Sequence, residues 1–136
     1  MGKKSIFFQL FELSSSTYTY IIADAETKEA AIIDSVIETV DRDLKLIEEL
    51  GINLKYVIDT HVHADHVTAA GEIRKRTKAQ SAVSSGAKVD CADILLVDGQ
   101  ELFLGKSKIK VLETSGHTDS CISLLWEDKV FTGDVL

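Results

Sequence analysis

Three histidines and an aspartate fall within six consecutive residues, His61-Val62-His63-Ala64-Asp65-His66, directly after the short apolar stretch Leu54 to Asp59. Four polar groups crowded at the end of a buried strand cost free energy unless each finds a partner. A metal ion supplies those partners together. Imidazole suits transition metals and carboxylate adds a hard oxygen ligand, so the set can hold zinc, iron or manganese. The remaining histidine, His117 in Ser115-Gly116-His117-Thr118, and Asp134 in Thr132-Gly133-Asp134 also follow predicted strands. Loops just beyond strands are rigid mounts, and three of them can converge on one point. The chain is therefore expected to bring His61, His63, Asp65, His66, His117 and Asp134 around one metal centre. Taken singly, His117 reads as a hydrogen-bonded structural residue and Asp134 as a turn residue after Gly133. Asp59 reads as a local hydrogen-bonding group.

The elements that carry these loops are legible from residue patterning. Ile6 to Leu13 and Tyr18 to Asp24 are rich in β-branched and aromatic residues and are separated by Ser14, Ser15 and Ser16, which predicts a hairpin. A third strand covers Ala30 to Ile33. Val40, Leu44 and Ile47 recur at helical spacing, with Thr39 as the expected cap and Gly51 just past the end. Leu54 to Asp59 is a strand, and Val67 to Thr77 a second helix. Short strands follow near Gln80 to Ser84, Ile94 to Val97, Glu101 to Leu104, Ile109 to Glu113, Cys121 to Trp126 and Lys129 to Thr132. Asp98 and Gly99 are expected to join two of these as a hairpin. Strands outnumber helices and only some are separated by them, so an α+β or layered α/β sheet is expected rather than regular βαβ alternation. No repeat or low-complexity linker divides the chain, and residues 1–136 read as one domain.

Charge narrows the partners. A formal net charge of −7 argues against a nucleic-acid surface, because phosphate binding needs a positive footprint. A small soluble substrate fits better. Arg74, Lys75, Arg76 and Lys78 read as a solvated helix end, where cations favour the dipole. The apolar run Ile6 to Phe8 is far short of the ~20 residues of a membrane span, so no membrane partner is expected. Cys91 and Cys121 show no CxxC spacing and read as buried, reduced thiols. The chain is read as cytoplasmic, with a lost targeting peptide left open.

The series HVHADH, Gly116-His117-Thr118 and Gly133-Asp134 resembles the ligand series of the metallo-β-lactamase superfamily in order and spacing. Within it, Ser16-Thr17-Tyr18-Thr19-Tyr20, Val40-Asp41-Arg42-Asp43-Leu44 and Asp59-Thr60 running into HVHADH look most like persulfide dioxygenases. The resemblance implies an αββα sandwich of which this chain is the N-terminal part. The family's later residues for gripping a glutathione-bound substrate have no counterpart to name here. Ser35 and Ser115 stand where the family pattern usually has proline.

By that resemblance one Fe(II) would be held by His61, His117 and Asp134. A face of two histidines and one carboxylate leaves iron(II) open positions for substrate sulfur and dioxygen. His63, Asp65 and His66 would orient the ligands and tune their basicity. The implied reaction oxidises glutathione persulfide to sulfite. A homodimer is left open. The alternative is a glyoxalase II-like hydroxyacylglutathione hydrolase, in which the same six residues hold two Zn ions about 3.5–4 Å apart. Ala64 favours the dioxygenase, since glyoxalase II-like sequences commonly carry a bulkier aromatic there. A third reading is a metal-binding fragment without turnover.

Overall fold

Alternation in the apolar strands builds the molecule, because successive side chains point to opposite faces and each strand here can feed two cores. The structure, a computed structural model, describes residues 5–12, 17–60, 64–84, 92–113, 122–127 and 129–131. Strands β1 (Ser5–Glu12) and β2 (Thr17–Asp24) form the expected antiparallel hairpin, and β3 (Glu29–Ile33) adds antiparallel to β2. The parallel strands β4 (Asn53–Ile58), β5 (Gln80–Ser84) and β6 (Ile94–Leu96) complete a six-stranded sheet in sequence order. A second, antiparallel sheet has the order β10 (Lys129–Phe131), β9 (Ile122–Trp126), β8 (Ser107–Glu113), β7 (Glu101–Leu104).

Parallel neighbours need crossovers, and two helices supply those from β3 to β4 and from β4 to β5. Helix α1 (Val40–Leu50) joins β3 to β4, and α2 (Ala64–Arg76) joins β4 to β5. Ile21, Ala30, Ile32 and Val57 face these helices, packing with Val40, Ile47, Ala69, Ala70 and Ile73. Their strand neighbours Ile22, Ala31, Ile33 and Ile58 face the other way, against Leu104, Ile109, Val111, Leu124 and Trp126 of the second sheet. The result is the expected α+β layering: helices, mixed sheet, antiparallel sheet. Each fully buried isoleucine or leucine contributes about 1.5–3 kcal/mol, and Ile21, Ile22, Ile32, Ile33 and Ile58 are all fully enclosed.

Several sequence expectations need correction. Asp98 and Gly99 do not close a hairpin: β6 belongs to the first sheet and β7 to the second, so this turn carries the chain between sheets. Its Gly99 N–H bonds the Val111 carbonyl at 2.7 Å, securing the crossing. The hairpin lies one turn later, where Leu104 pairs with Ser107 around Gly105 and Lys106. Thr39 sits at the α1 N-cap position without capping; its hydroxyl donates to the Val36 carbonyl at 3.2 Å and to Asp43 at 3.3 Å. Gly51 does end α1, in the left-handed conformation (φ 68°) that glycine reaches without a Cβ penalty. The basic cluster is more than a solvated helix end, because Arg74 pairs with Asp93 at 2.8 Å and Arg76 with Asp41 at 2.6 Å. Cys91 and Cys121 lie outside the described residues.

Candidate metal centre

Strand direction decides where the candidate ligands leave the fold. The parallel strands β3, β4 and β5 point their carboxyl ends the same way, the edge at which open sheets place ligands. In the second sheet β8 and β10 both run antiparallel to β9. Their last residues, Glu113 and Phe131, pair with Ile122 and Leu124 at the start of β9. The Ile122 N–H bonds the Thr60 carbonyl at 2.8 Å, joining the beginning of β9 to the residue after β4. The chain therefore leaves β4 toward His61, β8 toward His117 and β10 toward Asp134 at one end of the sandwich.

His61, His63, His117 and Asp134 themselves lie outside the described residues. Asp65 and His66 fall in the first turn of α2, which begins at Ala64 rather than the expected Val67. The backbone of these two is helical, and their side chains are outside what is described. Among the described residues no three His, Cys, Asp or Glu side chains gather as a metal site.

The carboxyl ends of β3 and β4 form a well-defined platform, and two aspartates dominate it. Asp34, directly after β3, accepts hydrogen bonds from the Thr60 N–H at 2.7 Å and the Thr60 hydroxyl at 2.6 Å. Its own N–H donates to the Ile58 carbonyl at 2.8 Å, and its carbonyl accepts from the Thr19 hydroxyl at 2.9 Å. Asp34 thus ties β2, β3 and β4 together just before the first histidine. It adopts a left-handed φ of 58°, a conformation aspartate tolerates better than most residues and one that concentrates at functional sites. Sequence reasoning missed it. The available signal was that β3 and β4 both end in an Ile-Asp pair, Ile33-Asp34 and Ile58-Asp59.

Asp59 corrects a second expectation. It was expected to hydrogen-bond locally, yet it is 1% exposed and neither carboxylate oxygen has a partner among the described residues. Burial pushes its carboxyl well above the ordinary carboxylate range, and the neighbouring Asp34 charge adds to the shift. Its main chain is fixed, with the Asp59 N–H bonded to the Ala82 carbonyl at 3.1 Å.

Beside the platform Tyr20 packs on Phe131 with ring centroids 4.8 Å apart, and Phe7 lies 6.0 Å from each. Tyr18 continues this aromatic edge at 6.4 Å from Tyr20. Burial raises the Tyr20 phenol above its ordinary range, while the Gln9 side chain opposes the shift. The donor set in sequence, three imidazoles and a carboxylate after β4 with His117 and Asp134 after β8 and β10, fits a divalent transition metal. Asp59, a buried carboxylate without a side-chain partner among the described residues, stands two residues before His61 in sequence and fits the same reading.

Comparison with known proteins identifies the family. Residues 15–136 match the family described as the metallo-beta-lactamase superfamily. The chain is 38% identical over 137 residues to the mitochondrial persulfide dioxygenase ETHE1 of Mus musculus, covering 99% of this chain and 54% of that protein. It is 32% identical over 126 residues to a hydroxyacylglutathione hydrolase of Cereibacter sphaeroides, covering 90% of this chain and 49% of the relative. The crystal structure of ETHE1 from Myxococcus xanthus superposes with a TM-score of 0.86 at 50% identity, covering 93% of this chain and 56% of that one. The chain thus spans about half the length of the relatives it matches.

Proposed function

Since the chain belongs to the metallo-beta-lactamase superfamily, we propose that it forms the metal-holding half of an iron-dependent persulfide dioxygenase acting on glutathione persulfide. The observation that supports the reading is the bond from Ile122 to Thr60, which together with the pairings of β9 brings the last residues of β4, β8 and β10 to one end of the sandwich. Likeness to persulfide dioxygenases at 38% and 50% identity, against 32% for the hydrolase, supports oxidation over thioester hydrolysis.

In this reading His61, His117 and Asp134 hold one Fe(II). His63, Asp65 and His66 orient those ligands, and Asp34 fixes the start of their loop through Thr60. When bound, the iron would supply open positions for substrate sulfur and dioxygen. The aromatic edge of Phe7, Tyr20 and Phe131 would screen one side of the site from water. The substrate is a glutathione-linked small molecule, and a net charge of −7 disfavours nucleic acid as a partner. Among the described residues no helix is long and apolar enough to cross a membrane. A cytoplasmic address rests on the cysteine pattern, and the mitochondrial designation of the mouse relative names its competitor.

The test is to supply glutathione persulfide and lactoylglutathione in parallel. Dioxygen uptake with sulfite formation, little lactoylglutathione hydrolysis and one iron per chain are expected. Hydrolysis without dioxygen uptake, with two zinc ions bound, would assign the chain to the hydrolase class.

A further inference from the structure

We propose that the aromatic edge of Phe7, Tyr18, Tyr20 and Phe131 is the surface on which the peptide part of the substrate lies, with the Tyr20 hydroxyl donating a hydrogen bond to one of its carbonyl or carboxylate oxygens. The inference rests on the glutathione-linked substrate proposed above and adds the residues that recognise its organic portion.

Strand pairing brings this edge to the end of the sandwich where β4, β8 and β10 finish. Tyr20 pairs with Ile33, the last residue of β3, and the adjacent Thr19 hydroxyl donates to the Asp34 carbonyl at 2.9 Å. Phe131 ends β10 opposite Leu124, near the start of β9. Phe7 pairs with Ile22, and Tyr18 and Tyr20 share the face of Ile22 by alternation. That face packs on the second sheet. The rings therefore line the opening where the edge strands β1 and β10 meet, with Phe7 and Phe131 6.0 Å apart across it.

Packing leaves part of this surface open to a ligand. Phe7 is 36% and Tyr18 46% exposed, and both rings lie within 30° of parallel to the half-buried Tyr20. The Tyr20 hydroxyl accepts from the Gln9 side-chain amide at 3.5 Å, the long limit of a hydrogen bond, and its own proton has no acceptor among the described residues. Burial keeps that proton on the phenol, so the group acts as a donor. Lys129 places its ammonium 5.1 Å over the Phe7 ring, a cation at the outer end of the edge in a chain of net charge −7. Ligand sites combine aromatic surface with a few polar groups that fix orientation. Glutathione carries carboxylates at both ends and planar amides between them, which match the cation, the donor and the ring faces.

The experiment is calorimetric titration of the whole protein with S-methylglutathione, which has the peptide but no persulfide, for the parent, Tyr20→Phe and Phe7→Ala, with thermal unfolding of each. Tyr20→Phe keeps the ring contacts and removes only the donor. It is expected to bind about tenfold more weakly at the melting temperature of the parent, and Phe7→Ala about threefold or more weakly. Affinity of Tyr20→Phe within about twofold of the parent's would overturn the proposal, since that is below the effect of a lost hydrogen bond. Affinity lost only in step with a lowered melting temperature would overturn it too, because packing would then account for the loss. So would a parent dimer that Phe7→Ala dissociates without changing peptide affinity, which would assign the edge to a second copy of the chain. Failure of the parent itself to bind S-methylglutathione would remove the substrate class proposed above and this inference with it, a result distinct from parent binding that Tyr20→Phe leaves unchanged.

Discussion

Removing the Asp34 carboxylate would strand two donors that Thr60 aims at it, an N–H at 2.7 Å and a hydroxyl at 2.6 Å, both buried. Asp34→Ala is expected to cost about 3 kcal/mol, the scale of a hydrogen bond to a charged group plus a desolvated donor. Asp34→Asn keeps one acceptor and tolerates the left-handed backbone, so it should cost less. Urea unfolding checks both, and a loss under about 0.5 kcal/mol for the alanine variant would deny Asp34 its organising role. Asp43 gives a prediction with a sign. It is inaccessible to solvent, and burial holds its carboxyl above the ordinary 3.8 despite the opposing hydrogen bond and charge of Arg42. The folded state then binds more protons than the unfolded state above pH 3.8, so the contribution of Asp43 to stability falls as pH rises through that window. Asp43→Asn removes this dependence. Its stability relative to the parent should improve between acid and neutral pH, and a change in the opposite direction would contradict the buried-carboxyl assignment.

Between elements, the turn joining β7 and β8 docks on the turn joining β2 and β3, at the end of the sandwich opposite the carboxyl ends of β3 and β4. The Gly105 N–H donates to Glu29 at 2.6 Å, and Lys55 lies 3.7 Å from the same carboxylate. Gly105 has a φ of 57°, and a Cβ there would stand 2.6 Å from the Thr27 hydroxyl and 2.9 Å from the Asp24 carboxyl carbon. Gly105→Ala is therefore expected to lose about 1–3 kcal/mol while leaving metal affinity unchanged. A variant that weakens metal binding at full stability would show that this end of the fold communicates with the site. This turn was also where sequence patterning fell short. Asp98-Gly99 and Leu104 to Ser107 both carry turn chemistry, but turn residues specify a local bend and not which sheet receives the next strand. That choice comes from long-range packing, with Leu96 on the first sheet facing Leu102 and Leu104 on the second. The strands themselves were legible because runs such as Ile21 to Ala23 and Ala30 to Ile33 are buried on both faces and read as continuous apolar segments. The start of α2 was hidden because Ala64, Asp65 and His66 belong to a polar motif that interrupts helical periodicity.

Across the whole molecule, two cores share one sheet, and the residues expected to do chemistry leave that sheet and its partner from a common end. Sequence proposes the candidate ligands His61, His63, Asp65, His66, His117 and Asp134, but it does not point to the residues that brace the strand ends before them. Asp34 and Asp59 look like ordinary strand-ending carboxylates until Thr60, Ala82 and Ile122 are seen to lock the chain around them. The measurement that bears most directly on the proposed mononuclear centre is Fe(II) titration of His61→Ala, His117→Ala and Asp134→Ala beside His63→Ala. The first three variants are expected to lose nearly all iron binding, while His63→Ala retains one iron at reduced affinity. Loss of the first metal in His63→Ala as complete as in His61→Ala would contradict the assignment of His61, His117 and Asp134 as the iron-holding set.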